Sequence, residues 1–201
     1  MWPAPFRAEG RTVAVELLSR DHRDDLAEAA ADGALHRLWY TSVPEPRGVG
    51  PEIDRRLGLM TQGSMLPFAI IDRRDGPLRD RAVGMTTYLN IDATHRRLEI
   101  GYTWYRRAVQ RTALNTECKY LLLSKAFEEL DCIAVEFRTH AMNLPSRRGI
   151  ERLGAKLDGI LRHHMIMPDG TLRDSAVYSI VAPDWPAVKA NLAWMMAKPY
   201  G

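Results

Sequence analysis

The stretch Arg97-Leu98-Glu99-Ile100-Gly101-Tyr102-Thr103-Trp104-Tyr105, continued by Arg106-Arg107-Ala108-Val109-Gln110-Arg111-Thr112-Ala113-Leu114-Asn115-Thr116, decides how this chain of 201 residues is read. The first half reads as a strand that follows a polar turn at residues 92–95. The second half is a short basic loop running into a helix expected to begin near Asn115. A helix start exposes unpaired backbone N–H groups at the positive end of its dipole, which makes it a ready anion site. Gln110, Arg111, Thr112, Ala113, Leu114, Asn115 and Thr116 form this cradle. An arginine, two hydroxyls and an amide add to the backbone donors, a set suited to a pyrophosphate.

Working outward, residues 11–18 read as a strand with Val13, Val15 and Leu17 inward, and residues 21–31 as a short alanine-rich helix. A helical turn or two is expected through Leu35, Leu38 and Trp39, then a Pro/Gly loop at 41–50. A helix follows over 51–62, with Pro51 in its first turn and Ile53, Leu57 and Met60 on one face. Strands over 65–72 and 82–91 join 97–105 in an antiparallel meander. Downstream come a helix (115–130), a strand (132–139) and a helix (144–153) closed by Gly154. A hairpin (156–167 and 171–182) turns at Pro168-Asp169-Gly170, and a last helix covers 184–197. The order predicts an α/β fold: a mixed, mostly antiparallel central sheet of about seven strands flanked by helices, with one parallel pair supplied by the unit 97–139.

Composition narrows the class. Length and a 46% hydrophobic content fit one domain over residues 1–201. No run approaches the roughly 18 apolar residues that would span a bilayer, so no membrane association and a cytoplasmic location are expected. Cys118 and Cys132 lack metal-ligand or disulfide spacing and read as buried thiols. A net charge of +3 does not by itself imply nucleic-acid binding. All but five of the 28 basic residues are arginine, some of them clustered, but the default reading of such clusters is solvated surface. His163 and His164 are adjacent on a strand and point to opposite faces, which argues against a metal site.

Four strings in order carry a resemblance: Leu98-Glu99-Ile100-Gly101-Tyr102-Thr103-Trp104-Tyr105, Gln110-Arg111-Thr112-Ala113-Leu114-Asn115-Thr116-Glu117, Asn143-Leu144-Pro145-Ser146-Arg147, and Ile150-Glu151-Arg152-Leu153-Gly154-Ala155. Together they resemble the RimJ/RimL-like branch of the GNAT superfamily of acyl-CoA N-acyltransferases. The resemblance implies a fold whose fourth strand (97–105) and fifth strand (132–139) splay apart. It implies acetyl-CoA as acyl donor, its pantetheine arm hydrogen-bonded to the backbone of Tyr102, Thr103 and Trp104 like an added strand. Asn143 and Ser146 would lie near the pantetheine and the sulfur, and Arg147 either near the phosphates or toward solvent. The family motif Gln/Arg-x-x-Gly-x-Gly/Ala has Ala113 and Asn115 at its glycine positions here. Alanine is small, and asparagine tolerates unusual backbone angles.

The implied activity is transfer of an acetyl group to a primary amine by direct attack in a ternary complex. That chemistry needs a neutral amine, a polarised carbonyl and a proton for the thiolate. Glu99 is the candidate base and Ser146 the candidate proton donor; the competing readings are a cross-strand ion pair with Arg97 and a helix cap. An α-amino group has a pKa near ~7.7 to 8.0 against ~10.4 for lysine, so a protein N-terminus is the easier acceptor. Trp39, Tyr40, Tyr88, His140 and His163 are candidates for the acceptor pocket. A small-molecule amine, or a module that binds acyl-CoA without turnover, are the alternatives, and the oligomeric state is open, a homodimer included.

Overall fold

The computed structural model describes residues 2–198. Its strands are β1 (Ala8–Glu9), β2 (Val13–Leu17), β3 (Met65–Asp72), β4 (Ala82–Asp92), β5 (Arg97–Tyr105), β6 (Ala134–His140), β7 (Lys156–Ile166) and β8 (Leu172–Val181). Its helices are α1 (Arg23–Ala31), α2 (Val49–Thr61), α3 (Ala113–Ser124), α4 (Leu144–Glu151) and α5 (Trp185–Ala197). The strands form one eight-stranded sheet in the order β1-β2-β3-β4-β5-β6-β8-β7. The expected sheet thus gains a short edge strand, β1. Every neighbouring pair is antiparallel except β5 and β6, the pair expected to be parallel.

Two apolar clusters sandwich the sheet. On one face Leu114, Cys118, Leu122 and Leu123 of α3 and Val188 and Leu192 of α5 pack on Val13, Phe68, Leu98, Ile100, Val135 and Tyr178. On the other face Leu26, Ala29 and Ala30 of α1 and Val49 and Ile53 of α2 pack on Ala14, Ala69, Met85 and Trp104. Alternation along each strand sends successive side chains to opposite faces, which is how one sheet serves both clusters. The second cluster takes nothing from β6, β7 or β8. Among the described residues no helix is long and apolar enough to cross a membrane.

Two local differences from expectation bear on the site. Helix α3 starts two residues early because Thr112 takes the N-cap, its hydroxyl accepting from the Leu114 N–H. The helix then passes into a π turn at Lys125–Glu129. The helical turns expected through Trp39 shrink to one 3-10 turn, Leu35–Arg37, bounded by a left-handed Ala34 and an extended Leu38. The start of α3 is tied to the β1–β2 turn by Glu117, whose carboxylate accepts from the backbone N–H groups of Arg11 (2.8 Å) and Thr12 (2.6 Å).

One buried cation is unexpected. Lys119 of α3 faces the sheet; its Nζ donates to Thr103 Oγ1 at 2.9 Å and has no carboxylate partner among the described residues. Burial holds its pKa down at about 8, against 10.5 in the open chain. A depressed lysine pKa means that the charged form is penalised on folding, fully below about pH 8 and no longer above about pH 10.5. Thr86 and Thr103 stay hydrogen-bonded to each other at 2.8 Å without the lysine. Lys119→Met is therefore expected to raise stability at neutral pH by about 2–3 kcal/mol, with the gain fading between pH 8 and 10.5; urea unfolding across that range measures it.

Candidate active site

Parallel pairing of β5 with β6 covers only Arg97↔Ala134, Leu98↔Val135 and Glu99↔Glu136. From Glu99 onward β5 stays with β4, while β6 stays with β8 as far as His140. The strands therefore part in a V whose apex is Glu99, as the splay implied by the resemblance requires. The β5 arm carries a bulge: Met85↔Trp104 and Thr87↔Gly101 leave one extra residue on β5, and Tyr102 adopts φ +48°. Gly84 permits it, since a Cβ there would stand 2.2 Å from the Trp104 carbonyl oxygen. Arg56, buried on α2, clamps the bulge. Its Nε donates to Glu52 (2.7 Å), Nη1 to Thr87 Oγ1 (2.9 Å) and Nη2 to the Tyr102 carbonyl (3.4 Å).

Of the three predicted cofactor residues on β5, the side chains are committed elsewhere. Tyr102 lies under the Arg55 and Arg56 guanidiniums, Thr103 bonds to Thr86 and Lys119, and Trp104 is buried against α1 and α2. Their backbone, on the side that β6 has left, remains available to a ligand.

At the wide end of the V stands α3. Ala113, Leu114 and Asn115 form its first turn, so neither position that is glycine in the motif needs a positive φ. The left-handed residue is Arg111, at φ +60°, exposed and without an ion pair among the described residues. Gln110 turns back to donate to the Tyr105 carbonyl (2.9 Å), and Leu114 is core. Thr116 corrects expectation. Its hydroxyl is buried and accepts from Arg152 Nη1 (3.1 Å), and its backbone N–H, four residues on from the Thr112 cap, makes the first intrahelical bond, so Thr116 offers an anion no free donor. Arg152 at the end of α4 is the arginine that reaches α3.

Arg147, expected near the phosphates or in solvent, is partly exposed and has its guanidinium engaged by neighbours. Its Nε donates to the Tyr178 hydroxyl (2.8 Å) and its Nη1 to the Ala141 carbonyl (3.2 Å), because α4 packs that face of its first turn on β6 and β8. Asn143 caps α4, its Oδ1 accepting from the Ser146 N–H at 3.1 Å. The cap is thus the asparagine. The Ser146 hydroxyl, half-buried, has no hydrogen-bond partner among the described residues.

At the apex Glu99 is buried, accepting from Asn90 Nδ2 (2.8 Å) and facing Arg138 Nε at 3.4 Å; the Arg97 once considered for it pairs with Glu136. Burial raises the Glu99 pKa above the ordinary glutamate value, and Arg138 and Asn90 oppose that rise. His140, at the end of β6, is buried with Nδ1 accepting from the Met142 N–H (3.1 Å); burial and the Arg173 charge lower its pKa, so it is neutral at pH 7. Trp39 meets its ring edge-on at 5.0 Å and Tyr40 at 5.5 Å, which brings three predicted pocket residues together. Tyr88 is not among them. It lies on the opposite face in the α3 core, its hydroxyl donating to the Leu122 carbonyl. His163 sits exposed in an irregular stretch of β7, its N–H donating to Asp174 at 2.8 Å. Among the described residues no group of three or more His, Cys, Asp or Glu is placed to hold a metal ion.

Sequence reasoning missed Arg56, Asn90, Arg138, Lys119 and Arg173. The strand alternation Glu136, Arg138, His140 was a signal for one of them, and a lone lysine within Cys118-Lys119-Tyr120-Leu121-Leu122-Leu123 for another. The rest depend on contacts between distant segments.

Comparison with known proteins agrees with this geometry. The Acetyltransferase (GNAT) domain family matches residues 13–156. A candidate ribosomal N-acetyltransferase, YdaF of Bacillus subtilis strain 168, is 30% identical over 106 residues, 53% of this chain and 57% of that protein. The chain thus spans little more than half the length of that relative. A GCN5-related N-acetyltransferase from Brucella melitensis superposes with a TM-score of 0.87 at 29% identity, over 97% of this chain and 87% of the other. Mycobacterium smegmatis RimJ, solved in complex with CoA-disulfide, superposes at 0.76 over 96% and 95% of the two chains; at 19% identity this is a likeness of fold alone. The family match runs from β2 through α4 and so takes in the splayed strands and the α3 start: this chain belongs to the GNAT family of acetyltransferases, which draw on acyl-CoA.

Proposed function

We propose that this chain transfers an acetyl group from acetyl-CoA to a primary amine, with the α-amino group of a protein N-terminus as acceptor. The observation that carries the reading is the end of β5–β6 pairing at a buried glutamate, opposite the uncovered start of α3. The residues fit the donor. First-turn N–H groups of α3 and the unpaired Arg111 suit phosphates, and the freed edge of β5 suits an extended amide-bearing arm. The name of YdaF, a ribosomal N-acetyltransferase, supports a protein acceptor.

When bound, acetyl-CoA supplies an activated acyl carbon; a nitrogen–carbon bond forms there as the carbon–sulfur bond breaks. Glu99 takes the proton of the attacking amine. Its burial raises its basicity toward that task, and Asn90 and Arg138 hold it in place. A backbone N–H on the freed edge of β5 polarises the carbonyl oxygen. Ser146 passes its hydroxyl proton to the departing thiolate and regains one from solvent, to which Glu99 releases the proton taken from the amine; the Asn143 cap leaves that hydroxyl free to do so. An α-amine, with a pKa near ~7.7 to 8.0, asks little of the base at neutral pH.

Three measurements test this. Because Glu99 must be ionised and its pKa is raised, kcat/KM is expected to climb with pH above the ordinary glutamate range; Glu99→Gln should lose roughly 100-fold or more in rate and flatten that limb. Ser146→Ala should lower kcat while leaving the calorimetric Kd for acetyl-CoA within about twofold; an unchanged kcat removes Ser146 from the mechanism. Replacing Arg111 and Asn115 together by glutamate should weaken CoA binding by about tenfold to a hundredfold, and unchanged affinity would refute the phosphate placement.

A further inference from the structure

The face of β6 and β8 that the α1/α2 cluster leaves uncovered carries Glu136, Arg138 and His140, paired in register with Ser179, Val177 and Ser175. Register partners share a face, and Glu99 joins this one through Glu136. Continuing two residues from Ser175 along β8 brings Arg173 to the same face. The surface is a polar floor beside the V, walled at its end by Trp39, which packs on His140, and Tyr40.

The charges on this floor do not cancel. Glu99 is met by Arg138, and Glu136 by Arg97 and Arg138. Asp174, next in sequence, is taken by Arg162 at 2.6 Å. Arg173 is left without an ion pair among the described residues, although it is only partly exposed and burial lowers its pKa. Its Nε donates to Ser175 Oγ at 3.0 Å, which fixes the plane of the guanidinium and leaves the two Nη groups without a hydrogen-bond partner among the described residues. Its charge acts on both Glu99 and His140, so the head lies within Coulomb range of the apex and of the aromatic wall.

The neighbouring unpaired group is a donor as well. His140 Nδ1 accepts from the Met142 N–H, so the proton of the neutral ring sits on Nε2, and that atom is buried without a partner. Arg138 is not free in this way, because its Nε, buried without a hydrogen bond, already faces Glu99 at 3.4 Å. A buried donor with no acceptor is costly, and a half-buried guanidinium without an anion costs more. Both costs vanish when a ligand supplies anionic oxygen, for which the planar fork of arginine is matched to a carboxylate.

We propose that the amine acetylated by this protein carries a carboxylate near the accepting nitrogen, and that Arg173 grips this carboxylate, with His140 Nε2–H as a second donor, while the amine faces Glu99. The inference rests on the reading of Glu99 as the base that faces the acceptor. Two sources share this chemistry: a small amine bearing its own carboxylate, and a peptide whose first residues include Asp or Glu.

The experiment compares matched acceptors with acetyl-CoA as donor. One arm sets amino-terminal peptides with Asp or Glu at the second position against their Asn or Gln counterparts. The other sets free amino acids against their amides, each assayed above the pKa of its amine. In at least one arm the carboxylate member is expected to lead by about tenfold or more in kcat/KM, chiefly through KM, and the leading arm identifies the source. Arg173→Gln should abolish the preference, and Arg173→Lys should keep only part of it, with the KM for acetyl-CoA unchanged in both. Equal rates in both arms, no turnover of any carboxylate-bearing acceptor, or a preference that survives in Arg173→Lys at full size and in Arg173→Gln, would overturn the proposal. Calorimetric binding of acetyl-CoA to the wild-type protein separates the two failures. Bound acetyl-CoA without a carboxylate preference refutes the role of Arg173, whereas absence of binding refutes the donor site itself.

Discussion

The architecture depends on a competition for two strands that is settled at Glu99. β5 is held by β4 on one edge and β6 by β8 on one edge, and each of those antiparallel ladders runs further than the three-residue parallel ladder between them. When the bulge at Tyr102 bends β5, the strand follows β4 and abandons β6. The backbone that is left behind is polar and must find partners. The opening is therefore a consequence of pairing geometry rather than of a flexible loop.

Around the apex the chain accepts several groups that cores usually exclude. Arg56, Glu99 and Lys119 are all buried, and they reach the bulge or the apex from α2, β5 and α3. Arg56 is satisfied by three partners, Glu99 is only partly matched by Arg138, and Lys119 has two hydroxyls and no counter-charge. Arg56, which clamps the bulge, is the most satisfied of the three and Lys119 the least, with Glu99 between them. His140 and Arg173 extend the same pattern to the floor beside the V, where N–H groups of both lack an acceptor among the described residues.

Much of the fold was legible from local patterns. β3 and β5 fall on their expected residues, the unit 97–139 does supply the one parallel pair, and Gly154 does take a left-handed φ of +102° where a Cβ would press on Val188. These features rest on alternation, turn residues and element order, which a few neighbouring residues encode. The site was legible in part for the same reason. Glu99, the α3 start and the Asn143–Ser146 pair sit at element ends or apices whose position follows from the order of strands and helices.

What local pattern could not reach was the direction of each side chain once distant segments meet. Tyr88 was read as a pocket residue, yet alternation on β4 turns it into the α3 core. The bond of Arg147 to the Tyr178 hydroxyl, 31 residues away, is another contact that no local pattern signals. Thr116 was read as an open hydroxyl, yet Arg152 covers it from 36 residues away. The sequence by itself determined the β3–β4–β5 meander, the parallel unit and, to within two residues, the helix start that follows β5, because these follow from short-range periodicity and turn residues. Only the tertiary structure decided that Glu99 is buried rather than exposed and that Arg173 stands unpaired beside it, because burial and charge balance are sums over contacts between residues far apart in the chain.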